Sequence, residues 1–263
     1  MRCLPHLVTL LTVVLLPGQS PAQPAVSTNL SWDRCAGDGR IVDRSFACDT
    51  NTGEDVFFGS AVALDGVERD SLVGFTAYVD VTPTTSILPN WWTMRSGECR
   101  PNALLHDWSG PWGASQCLPW FGEGTPLSVS GILSFYDRIV LQVAWALPAG
   151  QSATLAAGQE YSLFRVRLSH AKSTGTGACA GCTVPTCIGF GRLNLDYVLP
   201  KPREAIAGAG LNWLTWQGAY VADYPTRIWP PPHQNDHVNV LSCTVAPVPA
   251  QGRTWGLIKT MYR

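Results

Sequence analysis

Val73-Gly74-Phe75-Thr76-Ala77-Tyr78-Val79-Asp80-Val81 decides the fold class, because every odd-numbered position in it is apolar. A period of two sends successive side chains to opposite faces of an extended chain. The stretch is therefore a strand with one face in a core. The same pattern recurs further along. Ile139, Leu141, Val143, Trp145 and Leu147 form one face of a second strand. Phe164, Val166 and Leu168 alternate with Arg165, Arg167 and Ser169, and Leu193, Leu195 and Tyr197 alternate with Arg192, Asn194 and Asp196. Residues 56–64, 91–94 and 213–220 are weaker strand candidates. Turn signals separate these runs: Asn51-Thr52-Gly53, Asp65-Gly66, Pro148-Ala149-Gly150, Ala157-Gly158 and Gly208-Ala209-Gly210. Seven or more short strands without a long amphipathic helix predict an all-β chain. The expected fold is an antiparallel β-sandwich, immunoglobulin-like or jelly-roll, with long disulfide-stapled loops.

Composition narrows the function classes. Charged residues make up 14% of the chain, against about 25% in an average protein. The formal net charge is −1, which gives no general attraction to nucleic acid or to an anionic membrane. The 25 glycines and 20 prolines disfavour long helices. The 11 tryptophans fit either a Trp-rich core or an aromatic binding face.

Residues 1–22 have the three-part layout of a secretory signal peptide. Arg2 supplies the basic start, and Leu7, Val8, Leu10, Leu11, Val13, Val14, Leu15 and Leu16 supply the apolar stretch. Pro17-Gly18 breaks that stretch, and Ser20-Pro21-Ala22 provides the small residues of a cleavage site. The apolar run is shorter than the roughly 20 residues that span a bilayer, and no later segment reaches that length. Residues 23–245 are expected to form the sandwich. Residues 246–263 are expected to form a Pro/Ala linker and a short tail.

Of nine cysteines, Cys3 lies in the leader. Eight remain: Cys35, Cys48, Cys99, Cys117, Cys179, Cys182, Cys187 and Cys243. An even set in an exported chain reads as a disulfide framework, placing the protein outside the cell or on its surface. The expected pairs are Cys35–Cys48 and Cys99–Cys117, with two of the clustered Cys179, Cys182 and Cys187 joined to each other and the third reaching Cys243; Cys179–Cys187 with Cys182–Cys243 is the favoured choice among these. The rival for the clustered cysteines is zinc, held by Cys179, Cys182, Cys187 and His170; oxidation of exported thiols argues against it.

Two irregular regions, residues 88–121 and 222–241, hold the candidate sites. The first carries Trp91, Trp92, Trp108, Trp112 and Trp120, which could form a platform for sugar rings or pack beneath the loop. The second carries His233, Asp236 and His237, a candidate metal group that needs a further ligand, such as His106 or His170. Oxygen side chains alternate across Asp49-Thr50-Asn51-Thr52-Gly53-Glu54-Asp55 as in a calcium loop, but a hairpin turn accounts for the same residues. Arg165 and Arg167 read as the solvated face of a strand. No nucleophile elbow, zinc-protease helix or phosphate-binding glycine loop is present.

Several motifs are similar to those of a group of secreted bacterial proteins from environmental genomes. They are Leu30-Ser31-Trp32-Asp33-x-Cys35, Phe46-Ala47-Cys48-Asp49-Thr50-Asn51-Thr52-Gly53, Leu88-Pro89-x-Trp91-Trp92, Cys99-Arg100, Gly177-Ala178-Cys179-Ala180-Gly181-Cys182 and Thr215-Trp216-Gln217-Gly218. The ending Thr254-Trp255-Gly256-x-Ile258-Lys259-x-x-Tyr262-Arg263 is similar to theirs as well. The resemblance implies an exported bacterial protein and carries over no activity, ligand or catalytic residue. The expected function is a non-catalytic, secreted or cell-surface β-sandwich with an interaction or structural role. Its tail would dock to a surface component through Trp255, Ile258 and Tyr262. The alternatives are a carbohydrate-binding module using the Trp/Pro loop and a metal-dependent hydrolase. No cofactor is expected unless calcium or zinc is bound; the expected partner is a polysaccharide or a cell-surface component, not nucleic acid.

Overall fold

A computed structural model describes residues 26–64, 66–107, 117–121, 126–207, 212–223, 226–228, 237–239 and 242–245. The leader, Trp108, Trp112, His233, Asp236 and the tail residues Trp255, Ile258 and Tyr262 lie outside the described residues. The first strands are β1 (Val26–Trp32), β2 (Asp43–Arg44), β3 (Glu54–Ala63), β4 (Arg69–Pro83), β5 (Leu104–Asp107) and β6 (Leu118–Pro119). Next come β7 (Leu127–Ser134), β8 (Ile139–Ala146), β9 (Ala153–Leu155), β10 (Glu160–Ser169) and β11 (Thr186–Tyr197). The last are β12 (Glu204–Ala207), β13 (Trp213–Trp216), β14 (Ala219–Asp223), β15 (Thr226–Ile228), β16 (His237–Asn239) and β17 (Ser242–Val245). Among the described residues there is no α-helix.

The chain is an all-β sandwich. One sheet has the order β1-β3-β10-β5, with β6 parallel to β10. The other has the order β2-β13-β11-β4-β8-β7, with β12 beside β11 and β9 beside β4. Within the quoted stretch, Phe75, Ala77, Val79 and Val81 of β4 are buried. They meet the inner faces of β8, β10 and β11 in one core that includes Leu141, Val143, Phe164, Phe190 and Leu193. Phe164 and Phe190 touch edge to face at 5.5 Å. Residues 91–94, a strand candidate by sequence, form a 3₁₀ turn at Asn90–Trp92 instead. Pro89 starts the turn and its carbonyl accepts from Trp92 N. The candidate at 213–220 is broken by Gln217-Gly218, both at positive φ, into β13 and β14. Short strand pairs also interrupt both regions expected to be irregular, at β5, β6, β15 and β16.

All eight cysteines are joined; one of the clustered three reaches Cys243 as expected, but it is Cys187 rather than Cys182, and none of the four favoured pairs forms. The bridges are Cys35–Cys117, Cys48–Cys182, Cys99–Cys179 and Cys187–Cys243. Sequence proximity misleads because loop closure costs only about 0.6 kcal/mol per doubling of length, less than strand pairing can supply. The topology chooses the partners. β3 bonds both β1 and β10, and β6 runs along β10, so Cys117 just before β6 meets Cys35 just after β1. Both sulfurs pack on Phe58 of β3. The bridges span 56 to 134 residues of sequence. Each is worth roughly 4–5 kcal/mol by chain entropy.

Two bridges fasten the loops over a tryptophan cluster at one end of the core. Trp91 stacks on Trp216 at 5.3 Å, Trp92 meets Trp91 edge-on at 4.9 Å, and Trp32 lies 6.1 Å from Trp216. Three indole N–H groups donate there: Trp32 to Thr215 O, Trp91 to Ser173 Oγ and Trp216 to Cys182 O. Arg100 is buried with its guanidinium 3.6 Å from the centre of the Trp91 ring. It donates to the carbonyls of Trp91, Ser169 and Ala171. Burial without a carboxylate partner pulls this guanidinium down to about 9. Trp216→Ala is expected to cost about 3–5 kcal/mol in non-reducing guanidinium denaturation. The exposed Tyr136→Ala is expected to stay within about 0.5 kcal/mol of the unchanged protein; equal losses would contradict this placement of the core.

Candidate functional site

Trp91, Trp92 and Trp120 are fully buried, so these three rings offer no face to a sugar. They pack beneath the loop, which corrects the platform expectation at those positions. Several residues of the candidate calcium and zinc groups are engaged elsewhere among the described residues. Cys179, Cys182 and Cys187 are consumed in disulfides. His170 Nε2 lies 2.8 Å from Asp55 Oδ2, and its ring stacks on Phe46 at 3.8 Å. Asp55 also faces Arg44 at 3.3 Å, while Asn51 exchanges two hydrogen bonds with the backbone of Thr174. Among the described residues no group of three or more His, Cys, Asp or Glu could hold a metal ion. His237 lies on β16. Arg165 and Arg167 converge on Asp107, the former through a two-pronged pair at 2.6 and 2.8 Å.

Among the described residues, the side of the sandwich where the two sheets end in β5 and β7 is uncovered. A cleft of about 440 Å³ lies between them, lined by Met94, Asn102, Leu104, His106, Ile132 and Leu141 among others. That volume is within the range of small-molecule pockets, roughly 300–1,000 Å³. His106 sits edge-on to Trp145 at 5.8 Å. Its Nε2 is buried without a hydrogen-bond partner among the described residues, and burial lowers its proton affinity against the opposing effect of Asp107. A neutral imidazole nitrogen on an apolar wall can donate to, or accept from, one polar group entering the cleft.

β7 is the edge itself. It pairs with β8 on one side, and among the described residues no strand lies on the other. Phe135 N bonds Arg138 O at the hairpin end, which sets the alternation. Residues 127, 129, 131 and 133 direct their backbone groups to β8, so Ser128, Ser130, Ile132 and Ser134 direct theirs outward. Leu127 and Val129 are 71% and 73% exposed, and Leu133, Phe135 and Tyr136 are exposed beside them. No charged residue occurs from Leu127 to Tyr136. Edge strands ordinarily carry lysine, proline or a bulge to prevent pairing. β7 has none of these within it.

On the outer face of the β4 sheet lies a second unusual group. Asp80 is fully buried, and neither of its carboxylate oxygens has a hydrogen-bond partner. Its cross-strand neighbours are Val140 and Gly189, and Arg138 Nε is 3.7 Å away. Burial raises the carboxyl to about 7, and Arg138 opposes this only in part. On the same face, β14 and β17 form a ribbon fastened to β11 by Cys187–Cys243, with Trp213, Ala219 and Val221 packed against the bridge.

Comparison with protein-family models, with curated proteins and with solved structures finds no match. The fold and the site together define a disulfide-stapled β-sandwich with one open, uncharged edge.

Asp80 leads to a pH prediction. Between about pH 4 and pH 7 the folded protein keeps a proton that the unfolded chain has released, so stability falls as pH rises through that window. The full effect is on the order of 4 kcal/mol at most. Asp80→Asn is expected to be more stable than the unchanged protein at pH 8, with the difference gone by pH 4. Parallel stability curves for the two proteins would contradict it.

Proposed function

We propose that this is an exported, non-catalytic β-sandwich that works by non-covalent interaction, with the β5/β7 side as its working surface. The uncharged, apolar edge strand carries the proposal: β7 offers a row of unpaired backbone groups flanked by exposed Leu127, Val129 and Leu133. An extended polypeptide adds to such an edge by main-chain hydrogen bonds and gains selectivity from alternate side chains. The cleft behind β7, with His106 on its wall, is placed to receive one of those side chains. Four disulfides and the leader-like residues 1–22 support action outside the cell or at its surface.

The test uses fluorescent ten-residue peptides alternating Val or Ile with Ser or Thr, and measures anisotropy. Binding is expected with a Kd between about 10 μM and 1 mM, the weak range of a small interface. Val129→Lys, with an unchanged melting temperature, is expected to weaken it about tenfold or more, since lysine is a natural edge blocker. No binding by any peptide, or equal binding by the variant, would overturn β7 as a peptide-pairing edge.

A further inference from the structure

Taking the open side as the working surface, we infer that its occupant is the same strand of a second copy, paired antiparallel about a two-fold axis through Gly131. The register follows from which backbone groups are free. Ser128, Ser130, Ile132 and Ser134 face outward, so in a new antiparallel ladder these residues must pair with one another. Centring on Gly131 pairs Ser128 with Ser134 and Ser130 with Ile132, and every outward N–H and C=O finds a partner. Centring on Ser130 instead sets Ser134 against Pro126, which has no N–H. Centring on Ile132 sets Ser128 against Tyr136, in the β7–β8 turn. Only the Gly131 register uses the whole strand.

The side chains agree with that register. On the outer face it sets Val129 against Leu133 and Leu127 against Phe135, each pair apolar and each residue exposed in the single chain. Cross-strand apolar pairs of this kind are the unit of sheet stabilisation. No charge on β7 meets another, in keeping with pairing between identical strands. Gly131 itself is unexplained in the single chain, because a Cβ added there would meet nothing within 4 Å. At the axis it faces its own copy in a narrow, non-hydrogen-bonded pair with Cα atoms about 4.5 Å apart, where glycine permits the closest approach.

The seam is ~30 Å long, from nine residues at ~3.4 Å each. With its flanking apolar side chains it covers roughly 500 Å² per copy, against ~800 Å² in a standard stable interface. The dimer is accordingly weak and concentration-dependent. Joined in this way, two β-sandwiches share one continuous sheet.

Sedimentation velocity of the mature chain is expected to shift from monomer mass at about 5 μM toward dimer mass at about 1 mM. Cysteine cross-linking reads the register. Gly131→Cys is expected to join two copies under mild oxidation, because the separation at the axis falls within the ~4.4–6.8 Å that a disulfide spans. Val129→Cys alone is expected not to cross-link, since residue 129 faces residue 133 of the other copy. The double variant Val129→Cys/Leu133→Cys is expected to cross-link, and it serves if Gly131→Cys fails to fold. Monomer mass at about 1 mM, or cross-linking of Val129→Cys as efficient as that of Gly131→Cys, overturns the two-fold pairing. If the chain stays monomeric yet binds the alternating peptides through β7, the open side stands and the second copy falls. If neither occurs, both fall.

Discussion

Four disulfides between segments far apart in sequence are the constraint on which the rest of this molecule depends. Three join one loop to another, and Cys187–Cys243 joins strand β11 to strand β17. Cys48–Cys182 and Cys99–Cys179 close the loops over Trp91, Trp92 and Trp216. The indoles could not stay dry under unrestrained loops, because ordering each loop residue costs about 1–2 kcal/mol in backbone entropy. Arg100 completes that lid by donating to the buried carbonyl of Trp91 and to the carbonyls of Ser169 and Ala171. The tryptophans are therefore structural, and the covalent links and aromatic packing maintain each other.

Among the described residues, the side of the sandwich between β5 and β7 is uncovered. β5 has four described residues and β7 has eight. What remains exposed is a strand edge without charge and a cleft with a single buried imidazole nitrogen. An edge of that composition is a hazard in a crowded interior and useful where pairing is wanted. The outer face of the β4 sheet follows the opposite course. Its ribbon is clamped by Cys187–Cys243, on the face where the buried carboxyl of Asp80 lies.

Much of the fold was legible in the sequence. Strands β4, β8, β10 and β11 announced themselves because their two faces differ in polarity. β1 is not among the predicted strands although Ser27, Asn29 and Ser31 alternate with Val26, Leu30 and Trp32; in the structure both of its faces, the polar one included, are buried. β7 was missed for the reverse reason: both faces are exposed, and Gly131 interrupts the apolar series Leu127, Val129, Leu133. That incomplete alternation, flanked by Pro126, was the available signal for the open edge. The disulfide partners were not legible, because they follow strand order, which periodicity does not encode. Asp80 lies at a position that alternation assigns to solvent, yet the structure buries it on the outer face of the β4 sheet. The burial of Trp91, Trp92 and Trp120 could not be separated from a binding platform by composition, since both need the same residues.

Peptide mapping of the mature, unreduced protein by mass spectrometry tests the central claim most directly. Four linked peptide pairs are expected: Cys35 with Cys117, Cys48 with Cys182, Cys99 with Cys179, and Cys187 with Cys243. Bridges between sequence neighbours such as Cys35 and Cys48, or a majority of alkylatable free thiols, would contradict it.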